Sequence, residues 1–253
     1  MHDWAIQELL VLVAVGFLAQ LVDGALGMAY GTITTLTLLS LGTPPATASA
    51  AVHLAEIATC GASGLSHLWY RNVDKTLVVR LVPAGVLGVI IGATLISHVD
   101  GKVVRPYVAT YLGILGILIL VRAWEHPKPR ESSNDVIATP IGFVGGLLDS
   151  MGGGWGPIVT STLVGRGHPP RFTVGSVNFS QTLVAVAASG TFFAFLGMSH
   201  VPTVAALVLG GVVAAPFGGY MARMMPPRIF ITLVGILVLI MAGWQVWRSL
   251  NTA

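Results

Sequence analysis

Apolar runs of about twenty residues recur along the whole chain, and they limit it to membrane-crossing helices. The runs at 76–97, 103–122, 173–196, 201–219 and 228–247 are each close to the ~20 residues that span a bilayer as a helix. Hydrophobic residues make up 54% of the chain and charged residues only 9%, against about 25% charged in a soluble domain. The fold class expected is therefore an all-α, polytopic membrane protein with no water-soluble domain left over. The balance of 13 basic against 10 acidic residues arises in short loops, so it reports orientation in the bilayer and argues nothing for nucleic acid. Cys60 is the single cysteine, which excludes an internal disulfide and a thiolate metal cluster. The start "MHDWAIQELL" lacks a basic n-region, and its following apolar run is reused later, so it is not expected to be a cleaved signal peptide.

The reuse is a repeat. Gly16, Phe17, Leu21, Asp23 and Gly27 recur 126 positions later as Gly142, Phe143, Leu147, Asp149 and Gly153. With one residue dropped, Pro44, Pro45 and Val52 match Pro169, Pro170 and Val177, and after its return Gly85, Val86 and Gly92 match Gly211, Val212 and Gly218. The division expected is a first repeat over 1–125, a polar linker "HPKPRESSND" over 126–135 and a second repeat over 136–253.

Each half contains five apolar pieces, and the second is short: "PIVTSTLVG" (157–165) rises only about 14 Å, half of a ~30 Å hydrocarbon core. The first two pieces then form either a re-entrant or broken hairpin, or two crossings with help from tilting. Hairpins followed by three transmembrane helices invert the two halves and gather Arg71, Lys75, Arg80, Arg122, Lys128, Arg130, Arg166, Arg171, Arg223 and Arg228 on one face, leaving Lys102, Arg105 and Arg248 opposite. Four full crossings per half give seven against six. Because cytoplasmic loops collect Lys and Arg, ten against three favours inverted repeats with both termini outside and the linker cytoplasmic. Inverted repeats with broken helices suit a secondary transporter whose substrate sits where the two breaks meet.

Asp23, Glu56 and Asp149 lie inside apolar segments, where a charge facing lipid costs ~2.5 to 3.5 kcal/mol or more. They are expected to face the interior or a water-filled cavity. Asp23 and Asp149 each precede a glycine-rich turn, "DGALGMAYG" and "DSMGGGWGP", where a carboxylate can cap free N–H groups, take part in transport, or both. Gly27 and Gly31, with Gly152, Gly153, Gly154 and Gly156, permit positive φ and close approach of a ligand to the backbone. Pro157 suits the first turn of the following half-helix. A half-helix beginning at mid-membrane aims N–H groups at an anion, and the hydroxyls of "TITT" (32–35) and "TST" (160–162) are expected to add donors. Further along, His53 and Glu56 align with Asn178 and Gln181, and both pairs are spaced to share a helical face. The first pair can titrate, whereas the second can bind oxygens without titrating. His67, Tyr70, Trp244 and Trp247 read as interface anchors and Cys60 as a packing residue. His98, His126, His168 and His200 lack metal-ligand spacing.

The stretches "LVDGALGMAYG", "TPPATASAAVHLAEIATCGASGLSHLWYRNVD", "GGLLDSMGGGWGPIVTSTLVGRGHPPRFTVGSVNFSQ" and "LGGVVAAPFGGYMAR" resemble the TauE/SafE (TSUP) family of sulfite exporters over essentially the whole chain. The resemblance implies export of sulfite or a related sulfur-containing anion, organosulfonates included, across a prokaryotic cytoplasmic membrane with proton-motive force as energy source. "GALGMAYG" departs from the triple glycine of the other half, and Gln181 stands where the family leads one to expect an acid.

The substrate anion is expected at Gly27, Tyr30, Gly31, Gly153, Gly154, Trp155, Gly156, Asn178 and Gln181, with proton coupling or gating at Asp23, His53, Glu56 and Asp149. Because Asp23 and Asp149 would repel the anion, at least one is expected to be neutralised by a proton, by its capping bonds or by a cation. No catalytic residue, metal or cofactor is expected. An uncoupled anion channel or uniporter is the nearest alternative; an intramembrane enzyme is the more distant one, with no HExxH and no nucleophile motif to support it. The partners implied are the anion, protons and the lipid bilayer, and a homo-oligomer is left open.

Overall fold

The computed structural model describes residues 6–124, 135–197, 201–224 and 227–251. The linker expected over 126–135 lies outside them apart from Asp135, as do His126 and His200. Among the described residues ten α-helices follow one another: α1 (Ile6–Leu26), α2 (Tyr30–Ser40), α3 (Pro45–Trp69), α4 (Lys75–Ser97), α5 (Gly101–Trp124), α6 (Ala138–Asp149), α7 (Ser161–Gly165), α8 (Pro170–Leu196), α9 (Val201–Met224) and α10 (Pro227–Asn251). A π-helical turn, Gly156–Thr160, leads directly into α7.

Local signals set the ends of these helices. Pro45 and Pro170 open α3 and α8 where a missing N–H is harmless. Asp74 caps α4 by accepting from the N–H of Thr76 at 2.8 Å, and Asp100 does the same for α5 through Lys102 at 2.7 Å. Gly197, at φ 70°, ends α8.

Five helices are long and apolar enough to cross a membrane: α1, α4, α5, α8 and the 231–251 part of α10. The helix α3 is longer than α1 but carries His53 and Glu56 at its centre. Both second pieces are short, as their sequences require: α2 has 11 residues and the 156–165 segment rises about 15 Å. The first pieces differ, because α1 has 21 residues and α6 only 12, so α1 alone in the two hairpins reaches spanning length. Large apolar side chains on the long helices point outward, among them Leu18, Val79, Leu87, Leu209 and Ile240, as contact with lipid demands.

Packing follows the repeat. The helix α1 lies on α9 as α6 lies on α4, and α3 meets α9 as α8 meets α4; α3 also packs on α8, and α5 on α10. Exchanging the halves maps the first four of these contacts onto one another in pairs and the α3–α8 and α5–α10 contacts onto themselves. On α5 and α10, Gly113 faces Ala242, Gly116 faces Val238 and Gly235 faces Leu120, so the equivalent helices run antiparallel. The helices α3 and α8 do likewise, with Gly61 at Thr182 and Gly64 at Phe179.

Glycine makes these crossings close. Between helices in lipid there is little hydrophobic gain, so association rests on packing and polar contacts. A Cβ on Gly146 would lie 2.2 Å from the carbonyl oxygen of Gly85, and one on Gly88 2.2 Å from that of Phe143. We predict that Gly146→Ala lowers the thermal midpoint in detergent by the equivalent of about 1–3 kcal/mol. Gly190→Ala, where a Cβ meets nothing within 4 Å, should leave it unchanged or raise it.

Candidate functional site

The two helix breaks, residues 27–29 and 150–155, meet each other inside the protein. A Cβ on Gly31 would fall 2.6 Å from Cα of Gly153, one on Gly153 2.2 Å from the nitrogen of Thr32, and one on Gly156 2.6 Å from Cα of Met28. Gly27, Gly152 and Gly153 have φ of 68°, 107° and 112°, as expected for these turns, and Ala29 shares that region at 90°. Gly31, Gly154 and Gly156 do not. At Gly31 and Gly156 glycine is required because the backbone of the opposing break approaches, whereas a Cβ at Gly154 would meet first the Tyr111 hydroxyl, the outer end of a side chain.

Four of the six hydroxyls expected to serve a ligand are used elsewhere. Thr32 Oγ1 donates to the Gly153 carbonyl and Thr160 Oγ1 to the Gly27 carbonyl, both at 2.8 Å, so each half is latched to the other's break. Thr34 and Thr162 bond to carbonyls of their own helices. This corrects the reading of those four as ligand donors, because carbonyls at or near the breaks are nearer and the hydroxyls satisfy them; among the described residues Thr35 Oγ1 and Ser161 Oγ, of the same two motifs, have no hydrogen-bond partner.

Asp23 and Asp149 act alike. Asp149 Oδ1 accepts from the N–H of Trp155 at 2.9 Å, and the Asp23 carboxylate accepts from the N–H of Tyr30. Trp155 and Tyr30 are equivalent in the repeat, so each break carboxylate caps the aromatic residue that opens the next helix. Asp149 has a further set of partners. Its Oδ2 accepts from Gln181 Nε2 at 3.0 Å and stands 3.2 Å from His53 Nε2. Gln181 Nε2 also donates to Glu56 Oε2 at 2.9 Å, so one amide bridges two carboxylates. Among the described residues, Gln181 Oε1 has no hydrogen-bond partner.

The proton inventory of this cluster follows from acceptor chemistry. His53 Nδ1 lies 2.8 Å from the Ser49 carbonyl, which can only accept, so Nδ1 carries a hydrogen. Nε2 and Asp149 Oδ2 then share one more proton: either imidazolium faces carboxylate or carboxylic acid donates to imidazole. Ser49 Oγ, which donates to the Ser150 carbonyl at 2.7 Å, locks the histidine to the second break. His53 and Asp149 are fully buried and Glu56 is 3% exposed.

Asp23, Gly27, Tyr30, Gly31, Glu56, Asp149, Gly153, Trp155, Gly156, Asn178 and Gln181 line one inner cavity of about 10 Å³, the space of a single water. Of the residues anticipated from sequence, His53 and Gly154 are outside that lining; His53 reaches it through Asp149. Cys60 belongs to the cavity wall, and Asn178 Nδ2 donates to Ser63 Oγ at 3.3 Å. His53, Glu56 and Asp149 hold ligand-type atoms within 4.8 Å of one another, but the Gln181 amide puts N–H donors between the two carboxylates where a cation would need acceptors. Sequence reasoning missed Ser49, although it lies one helical turn before His53, and Ser63, which nothing but the tertiary contact marks. Trp244 and Trp247 are exposed, with ring centroids 5.1 Å apart, as lipid-interface residues would be. His67 and Tyr70 instead line a wide second cavity with Asn72 and Arg171.

The model of a protein family described as "Sulfite exporter TauE/SafE" matches residues 12–244. The chain belongs to the TauE/SafE family. It is also similar to "Probable membrane transporter protein YtnM" of Bacillus subtilis (strain 168), at 40% identity over 238 residues, 90% of this chain and 79% of the relative. No solved structure matches. Membership in TauE/SafE makes the chain a multi-pass transporter of the cell membrane and points to transport rather than catalysis.

The capping role of Asp149 can be separated from its proton chemistry. Asp149→Ala, which strands the Trp155 N–H, His53 and Gln181, should destabilise the protein by on the order of 3 kcal/mol. Asp149→Asn, which keeps an oxygen for Trp155, should hold the thermal midpoint in detergent close to that of the parent protein.

Proposed function

We propose that the protein is a secondary transporter that exports a small sulfur oxyanion, sulfite or an organosulfonate, binding it where the two helix breaks meet. The observation that carries this reading is the inner cavity, where three carboxylates, two amides and two capped helix starts from both halves converge on a closed space. The antiparallel packing of equivalent helices supports inverted repeats, since helices along the membrane normal become antiparallel under a twofold exchange only when its axis lies in the membrane plane. The linker, with the ten basic residues, then faces the cytoplasm.

The charges of the site set the sign of proton coupling. His53 and Asp149 together are neutral once they share a proton, which leaves Asp23 and Glu56 as carboxyl groups beside an incoming anion. Like-charge repulsion favours anion binding when these are protonated, so protons and anion bind together and each raises the other's affinity. Export by such co-transport is driven by the anion's own outward gradient, and the inward proton-motive force that the family resemblance implies as energy source would oppose it. Asn178 and Gln181 supply N–H donors that do not titrate. As the anion enters, the Gln181 amide is free to turn from the carboxylates once they are neutral.

In proteoliposomes at fixed membrane potential, efflux of methanesulfonate, which stays ionised near neutral pH, should be faster from an acidic lumen, and Glu56→Gln should abolish most of that acceleration. Sulfite should compete with it. Equal flux with and without the pH gradient would sink the coupled mechanism, and absence of flux for both anions would sink the substrate class. For topology, in a Cys60→Ala background Thr76→Cys should react with an impermeant thiol reagent only from the cytoplasmic side of cells and Val99→Cys only from outside. The reverse pattern, Thr76→Cys reacting only from outside and Val99→Cys only from the cytoplasmic side, is what four crossings per half from an outside N-terminus require and would overturn the inverted arrangement.

A further inference from the structure

Next to the small cavity, whose lining side chains are buried, lies a far larger one of about 750 Å³ that reaches the exposed Tyr70 and Arg171. Its polar lining is Ser63, Ser66, His67, Asn72, Arg122, Thr160 and Arg171 with the Tyr70 hydroxyl, and no acidic side chain among the described residues contributes to it. Arg171, in the first turn of α8, is fixed at the rim. Its Nε donates to Asn72 Oδ1 and its Nη2 to the Tyr70 carbonyl at 3.2 Å, while its charge stays exposed to solvent.

A thin partition separates the two cavities. Ser63, Met28 and Thr160 line the larger one, whereas Asn178 and Gly27 line the small one. Two hydrogen bonds cross between them: Asn178 Nδ2 to Ser63 Oγ at 3.3 Å and Thr160 Oγ1 to the Gly27 carbonyl at 2.8 Å.

We infer that this vestibule is an outer binding station for the oxyanion, with Arg171 as its positioning cation and the Ser63–Asn178 and Thr160–Gly27 bonds as the gate to the inner cavity. The inference rests on the proposed transport of an anion through that inner cavity. The vestibule is wide enough for the anion to arrive hydrated, and the exposed charge of Arg171, with no acidic side chain among the described residues in the lining, raises its local concentration. Opening the Ser63–Asn178 bond releases a hydroxyl and an amide N–H, donors that replace the waters the anion sheds. In this conformation the path is open to the face that carries Arg71, Arg122, Arg166 and Arg171, and closed beyond the gate.

The test uses full-length protein in nanodiscs with Cys60→Ala, and Ser66→Cys as a reporter in the vestibule. Two reagents of similar size are compared: anionic 2-sulfonatoethyl methanethiosulfonate and its cationic trimethylammonium counterpart, each normalised to its rate with 2-mercaptoethanol. The anionic reagent should be favoured about tenfold. Arg171→Gln should remove most of the preference and Arg171→Lys should retain it, while methanesulfonate should slow the anionic reagent selectively. A normalised ratio near one, or one unchanged by Arg171→Gln, overturns the proposal. Should Ser66→Cys not fold, Ala25→Cys, on α1 in the same lining, gives the same readout. The labelling reports charge and access whether or not the protein moves methanesulfonate, so its failure is distinct from failure of the transport reading.

Discussion

Two interrupted helices buried against each other leave backbone groups that neither lipid nor water can satisfy, and the rest of the structure is arranged around meeting that need. Asp23 and Asp149 take the N–H groups of Tyr30 and Trp155, while Thr160 and Thr32 take the carbonyls of Gly27 and Gly153. Burying a carboxylate is tolerable only with such partners. The capping bond fixes one oxygen of Asp149 and leaves the other for His53 and Gln181. Holding the turn and handling a proton are therefore divided between two atoms of one side chain.

The halves share a scaffold but differ in chemistry. On α3, His53 and Glu56 can gain or lose protons; on α8, Asn178 and Gln181 occupy the matching places and cannot. Gln181 stands where an acid was anticipated, and the structure supplies the physical reason for an amide. With Asp149 and Glu56 on either side, a third carboxylate would have only repulsion to offer, whereas the amide donates to both.

Much of this was legible in the sequence because duplication supplies an internal comparison. The recurrence of Asp23 as Asp149 marked both breaks, and the alignment of His53 and Glu56 with Asn178 and Gln181 named the cluster before any coordinates. The short second pieces were legible too, since nine or eleven residues cannot cross a bilayer. What escaped depended on long-range contact. The glycines promised open backbone for a ligand, yet Gly31 and Gly156 are glycine because the opposing break approaches them. The hydroxyls of Thr32 and Thr160 read as ligand donors, but nothing local reveals that each faces a carbonyl over 120 residues away. The greater length of α1 than of α6 was hidden for a related reason: the repeat aligns their shared ends and says nothing about residues before them.

Close approach of glycine to glycine has a consequence for how such a chain can vary. At most packed positions a larger residue on one side can be accommodated by a smaller one opposite. Where Gly31 meets Gly153, both sides already stand at the minimum of side-chain size, so no substitution opposite restores the lost space. This crossing can change only if the two breaks themselves move apart, which ties one glycine in each half to a single backbone geometry.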